Sequence, residues 1–196
     1  MSFGLHPAGK ISAVDIELGP TSSSMDMLYG KRVLGRLTTP LVGMHNMYNT
    51  LAAIAVALSL GMGWGKIQSC LQQFRGVRRR LEQVGCIGPV PVFDDYAHHP
   101  TEIQATLKTL KSQKRRIIAI FQPHRYTRIQ SLFSEFLISF DNADVLIVTP
   151  IYGAGEKTDR SLTHAQLYAA LKESRRLPTF FAANPVSYTH LRAHET

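Results

Sequence analysis

The chain has 196 residues, 44% of them hydrophobic, with 22 Lys and Arg against 14 Asp and Glu and a net charge of +8. That length admits one large or two small domains with a real core, and the apolar fraction is that of a globular protein. No apolar run reaches the ~20 residues needed to cross a bilayer. The first ten residues lack the apolar centre of a signal peptide, so a cytoplasmic, membrane-free protein is expected. Two cysteines, Cys70 and Cys86, are too few for a disulfide framework; both are expected to be small buried residues in a reducing compartment.

In chain order, Ile11 to Leu18 (ISAVDIEL) alternates as a strand does, GPTSSS reads as a turn or loop, and MDMLYGKRVLGRL carries strands broken at Gly30 and Gly35. A long helix is predicted from His45 or Asn46 to about Leu60, stopped by Gly61 and Gly63, with Ala52, Ala53 and Ala57 allowing close packing on a sheet. A second helix, Trp64 to Phe74, leads into the basic RGVRRR link, Arg75 to Arg80. From Pro89 the pattern becomes strand, helix, strand (IIAIF, Ile117 to Phe121), helix, strand (DVLIV, Asp144 to Val148), helix (Leu162 to Leu171) and a short strand at Pro178 to Phe181. Such alternation implies an α/β fold with a mostly parallel, Rossmann-like sheet and right-handed crossovers.

Two polar clusters fall where a strand gives way to a helix, the place at which an α/β sheet gathers ligand-binding groups. The first, DDYAHHPTEI (Asp94 to Ile103), precedes a helix whose Ile103, Leu107 and Leu110 share one face; Pro100 suits its first position and Glu102 its first turn. The second, FQPHRYTR (Phe121 to Arg128), places Arg125 and Arg128 at i, i+3 on the first turn of a helix with Leu132, Phe133 and Phe136 inward. Two guanidiniums beside free helix N–H groups form a seat for carboxylate or phosphate. His98 and His99 are adjacent, so their side chains point apart, and no partner stands at a metal-ligand spacing; no metal site is expected. By residue chemistry alone, Asp94 and Asp95 also fit a solvated turn, and Arg125 and Arg128 an exposed face. The positive charge fits nucleic acid as well as small polyanions, although no nucleic-acid motif accompanies it.

GMHNMYNTLAAIAVALSLGM (Gly43 to Met62), RRLE (Arg79 to Glu82), DDYAHHPTEI, FQPHRYTR and IYGAGE (Ile151 to Glu156) together resemble the Mur ligase family of peptidoglycan synthesis. The similarity covers about residues 1 to 183, and FQPHRYTR is closest in form to the members that act on L-alanine. The resemblance implies the last part of a central ATPase domain over 1–74 and most of a Rossmann-like C-terminal domain over 75–183. The stretch 184–196 departs from the family and is expected to be an artefactual tail. No GxxxxGK[ST] phosphate loop occurs in the sequence, and Gly61 to Lys66 does not meet its spacing.

The implied reaction uses ATP and Mg²⁺ to phosphorylate the lactyl carboxylate of UDP-N-acetylmuramic acid, after which the amine of L-alanine attacks the acyl phosphate. Every partner is anionic, so positioning and positive charge should carry the catalysis. By resemblance, His45, Asn46 and Asn49 lie near adenine, and Arg80 reaches toward nucleotide phosphates. Asp95 and Tyr96 line the substrate site, and His98 or His99 orients substrate or relays the amine proton. His124, Arg125 and Arg128 take the L-alanine carboxylate, and Glu156 touches the amino acid or braces its loop. One departure is visible: Arg78 stands where the family usually has glycine. The rival reading is a non-catalytic basic module that binds nucleotides or nucleic acid.

Overall fold

The computed structural model of the protein describes residues 2–5, 9–156, 162–174 and 177–183, and the chain forms two compact units, Met1–Tyr96 and Ala97–Thr196. The first holds a four-stranded sheet in the order β1 (Phe3–Gly4), β2 (Ile11–Leu18), β3 (Ser23–Tyr29), β4 (Arg32–Thr39), parallel between β1 and β2 and antiparallel thereafter. Gly30 makes the tight turn between β3 and β4 at φ +59. Gly35, expected to end a strand, instead sits inside β4 at φ +123, where the register with β3 shifts. The shift leaves Leu34 unpaired between Val33 and Gly35, and the positive φ of the glycine, reached without a Cβ clash, lets the strand bend there and continue.

Two helices, α1 (Met44–Ser59) and α2 (Trp64–Gln73), pack on this sheet. Met47, Leu51 and Ile54 of α1 meet Ile11, Ala13, Met25, Met27 and Leu37, all at most 1% exposed, and Ile67 of α2 closes the core. The inward stripe of α1 is thus Met47, Thr50, Leu51, Ile54 and Ala55, while Ala53 faces out. An i, i+4, i+7 stripe of large apolar groups buries more area than the alanine face would, and area decides which face turns inward. Cys70 on α2 is exposed, as is Cys86 in the following hairpin, contrary to the buried sites expected for both.

That hairpin, β5 (Glu82–Ile87) and β6 (Val90–Asp94), is antiparallel around Gly88 and Pro89. The segment read as a strand of the parallel sheet, Pro89 to Phe93, therefore pairs with its own upstream neighbour. β5 carries no burial signal, being almost wholly exposed, which is why periodicity does not reveal it. The hairpin belongs to the first compact unit, which runs to Tyr96.

The second unit has the expected parallel α/β pattern. Its sheet runs β7 (Ile118–Phe121), β8 (Val145–Val148), β9 (Thr179–Phe181); α3 (Pro100–Lys111) precedes β7, α4 (Tyr126–Ser131) and α5 (Phe133–Ile138) link β7 to β8, and α6 (His164–Glu173) links β8 to β9. Ile103, Leu107, Phe121, Ile129, Phe136, Leu146, Val148, Leu167 and Leu171 form one core. Asp144 ties α3 to the sheet: it accepts from Lys111 Nζ and from the Ile117 N–H, both at 2.8 Å, and the lysine holds its carboxyl below the ordinary value. The single helix predicted after FQPHRYTR is broken at Leu132 (φ −118), so α4 and α5 are separate. The stretch 184–196 lies outside the described residues.

Candidate active site

The strongest chemistry in the second unit sits where β7 and β8 end. Beyond Phe121 and Val148 the two strand-end loops lock together: His124 bridges Tyr152, the Arg125 N–H donates to the Tyr152 carbonyl at 2.8 Å, and the Tyr152 N–H donates to the Pro123 carbonyl at 2.8 Å. This extension of the parallel ladder fixes the start of α4 and forces its N-cap, Arg125, to φ 71 and ψ 128. A non-glycine residue held there stores about 1–3 kcal/mol of strain, tolerated only where the surroundings over-determine it. The result is an arginine side chain, exposed, at the carboxyl end of a parallel sheet.

The expected free helix N–H groups are not free. Glu156 arrives from the β8 loop and takes two donors of one residue, Thr127 Oγ1 to Oε1 at 2.7 Å and the Thr127 N–H to Oε2 at 3.2 Å. The Thr127 hydroxyl, then its N–H and that of Tyr126, hold the Glu156 carboxyl below the usual carboxylate range, and Arg125 adds to the effect. Arg128 turns back on its own helix, reaching the His124 carbonyl at 3.4 Å and His124 Nδ1 at 3.5 Å. The Arg125 guanidinium, by contrast, has no hydrogen bond or ion pair among the described residues. His124 lies between the rings of His98, 6.1 Å away, and Tyr152, 5.4 Å away. Burial first, then Arg128, His98 and Arg125, push it below the ordinary histidine value, with Glu156 opposing. These neighbours favour the uncharged imidazole, one of whose ring nitrogens is then an acceptor.

His98 and His99 divide their tasks. His99 is the N-cap of α3: its Nδ1 accepts from the Thr101 N–H at 3.3 Å, while Glu102 Oε2 accepts from the His98 and His99 N–H groups at 3.1 and 3.2 Å. An Nδ1 that accepts carries no proton, so His99 in this state offers only Nε2. His98 is half-buried, its Nδ1 3.7 Å from Glu102, and it is the one that reaches His124. The sequence leaves open which histidine handles protons; the geometry commits His99 to capping and puts His98 in the cluster.

The remaining predicted residues lie in the first unit. His45, Asn46 and Asn49 share the first turns of α1, whose N-cap is Gly43. Asn46 Nδ2 donates to the Val42 carbonyl at 2.9 Å, so this amide braces the preceding loop, while exposed Asn49 makes no side-chain hydrogen bond among the described residues. His45 is half-buried; desolvation lowers it most, Asp95 opposes and Arg80 reinforces, which places these three charges in one electrostatic neighbourhood. Asp95 Oδ2 accepts from the Leu81 N–H at 2.7 Å. Exposed Arg80 is flanked by Arg79 (φ 58) and Leu81 (φ 50), two left-handed residues. Arg79 is fixed by Asp94 at 3.2 Å, by its N–H to Glu82 at 2.7 Å, and by the Tyr96 ring 5.0 Å beneath its guanidinium. Sequence reasoning passed over Arg79, Glu102, Thr127 and Tyr152 as site residues, because each acts through a contact made by folding. The GAGE turn that delivers Glu156 was the only local signal for Thr127.

Comparison with known proteins gives the context. Residues 79–192 match the family described as Mur ligase, glutamate ligase domain, well over half of the chain. The UDP-N-acetylmuramate–L-alanine ligase of Desulfatibacillum aliphaticivorans is 44% identical over 174 residues, 88% of this chain and 38% of that protein. The ligase of the same name from Syntrophus aciditrophicus is 42% identical over 92% of this chain and 39% of its own length. Among solved structures, the UDP-N-acetylmuramate–alanine ligase of Thermotoga maritima superposes with a TM-score of 0.77 at 26% identity, covering 99% of this chain and 41% of that one. MurF of Acinetobacter baumannii, at 23% identity and a TM-score of 0.71, shares the fold. The chain spans about two fifths of the length of these relatives. With its α/β second unit, its strand-end cluster and the family match running from Arg79 through that cluster, the chain belongs to the Mur ligase family.

Proposed function

We propose that this chain is part of a cytoplasmic, ATP-dependent ligase that joins L-alanine to the lactyl carboxylate of UDP-N-acetylmuramic acid in peptidoglycan synthesis. Residues 1–74 would be the end of its central ATPase domain and 75–183 most of its C-terminal domain, with 184–196 a tail outside the family pattern. The supporting observation is Arg125: a strained, exposed arginine at the end of a parallel strand, its guanidinium open among the described residues, beside a neutral His124 and a clamped Glu156.

In this reading Arg125, with Arg128 behind it, binds the carboxylate of L-alanine, and His124 and His98 accept or hold the proton released as the amine attacks. A charge-assisted contact that orients the amine supplies rate through positioning. His99 supports this cluster by fixing the start of α3. In the first unit, Asn49 and neutral His45 offer an adenine edge, Asn46 holds the loop beneath them, and Arg80 supplies charge for phosphates, with Asp95 and Tyr96 bracing the segment that carries it. ATP, when bound, supplies the phosphoryl group that activates the carboxylate. The donor set suits the base and one phosphate contact. Among the described residues no three His, Cys, Asp or Glu side chains gather on one point. The test is Arg125→Ala in the full-length ligase: it should raise KM for L-alanine by roughly tenfold or more, the size of a lost charged hydrogen bond. An unchanged KM with normal kcat would remove the assignment.

A further inference from the structure

Thr127 belongs to none of the expected contacts, yet both of its donors are spent on Glu156. The two hydrogen bonds come from one residue to the two oxygens of one carboxylate 29 positions away, at 2.7 and 3.2 Å. The cation whose charge acts on Glu156 is Arg125, two residues before Thr127, which has no hydrogen-bonded or ionic partner among the described residues. Arg128 and His124 are engaged with each other. A carboxylate beside an unpaired guanidinium would ordinarily close on it as a two-pronged ion pair. Here it does not, because the threonine holds it at the start of α4. Glu156 is itself placed by the turn that begins at Gly153, where the Glu156 N–H returns to the Gly153 carbonyl at 3.0 Å; a Cβ on Gly153 would stand 3.3 Å from the Tyr126 ring and the Glu156 carbonyl.

We propose that Thr127 is a positioning residue whose hydroxyl keeps the Glu156 carboxylate from pairing with Arg125, so that the Arg125 guanidinium stays open to an anionic ligand. The inference rests on the ligase reading above, with L-alanine as that ligand. Without the hydroxyl, Glu156 becomes an internal competitor for the amino-acid carboxylate. The cost falls on binding of that substrate, whereas ATP, which does not use this seat, is untouched.

The test is made in the full-length ligase, with KM measured separately for L-alanine and ATP. Thr127→Val should raise KM for L-alanine by about tenfold, the lower end of what one hydrogen bond to a charged group is worth, while KM for ATP and kcat hold within about twofold. Thr127→Ser, which restores the hydroxyl, should recover the native KM, and Thr127→Ala should repeat the Val effect should the branched apolar group fold poorly. The deciding variant is Thr127→Val with Glu156→Gln: an amide cannot neutralise arginine, so KM for L-alanine should return toward the native value. An unchanged KM in Thr127→Val alongside a raised KM in Arg125→Ala would overturn the proposal and leave the ligase reading standing. A raised KM that Glu156→Gln does not relieve would also overturn it, showing Thr127 to be a structural support. If Arg125→Ala itself leaves KM for L-alanine unchanged, the failure lies in the ligase reading.

Discussion

At the scale of single residues, Asn46 and Asn49 stand one helical turn apart on α1 and have opposite assignments: the amide of Asn46 is held by Val42, and that of Asn49 is exposed. Changing Asn49 to Ala in the full-length ligase should therefore weaken ATP far more than UDP-N-acetylmuramic acid in a binding titration. Equal losses would point to damage in α1. His45 and His124 make a second prediction, on pH. Both are held below the ordinary histidine value of about 6.5. A depressed group gives stability that is complete above its unfolded value and is lost as pH falls through its folded value. The fold should thus weaken below about pH 6.5, well before Glu156 and Asp144, also depressed, begin to protonate in acid. His45→Gln should flatten the fall in Tm between pH 7 and pH 5; an identical slope would show that His45 is not strained by its burial.

At the scale of elements, the start of α3 is held by one carboxylate. Glu102 Oε2 accepts from two successive backbone N–H groups, and Pro100 at the first helical position leaves no further donor to satisfy there. Glu102→Ala should cost about 1 kcal/mol, the usual worth of a helix cap, and lower Tm by a few degrees. It should also loosen His98, which a faster amide exchange at His98 and His99 would report; unchanged exchange would mean that the loop is held by other contacts. The same logic separates α4 from α5. The β-bridge at His124–Tyr152 sets the direction of α4 from its first residue, and the break at Leu132 lets α5 turn Phe136 fully into the core.

At the scale of the whole molecule, many large apolar groups remain outside both cores. Val33, Val56 and Leu60 (77% exposed) lie on the first unit, and Ile118, Ile120 (55% exposed) and Ile138 on the second. Isolated exposed apolar residues are ordinary, but Ile118 and Ile120 occupy one face of β7, which makes a contiguous edge. The 196-residue chain by itself should therefore bind a hydrophobic dye and associate at micromolar concentration, whereas the full-length ligase should do neither. The 196-residue chain should also show no L-alanine-dependent phosphate release, since phosphoryl transfer rests on positioning and the sequence holds no phosphate loop. Turnover by a monodisperse preparation of these residues would show that the chemistry resides elsewhere than proposed.

What the sequence determined by itself was whatever depends on local order. Ile103, Leu107 and Leu110 announce α3, IIAIF and DVLIV announce the parallel strands β7 and β8, of which only β8 is buried throughout, and Pro100 with Glu102 announces a helix start, because periodicity and capping act between near neighbours. The place of the candidate site was legible for the same reason, since polar clusters at strand ends stand out against apolar runs. The state of those groups was decided only by tertiary structure. Nothing local says that β6 pairs with the exposed β5, that His99 spends its Nδ1 on a cap, or that Arg128 turns to His124 while Arg125 stays open. These outcomes follow from contacts between residues far apart in the chain, above all Thr127 with Glu156 and His124 with Tyr152, where the geometry of two loops determines which charges meet. Hydrogen bonds act over about 3 Å, so the sequence can name the donors and acceptors, and only folding selects the pairs.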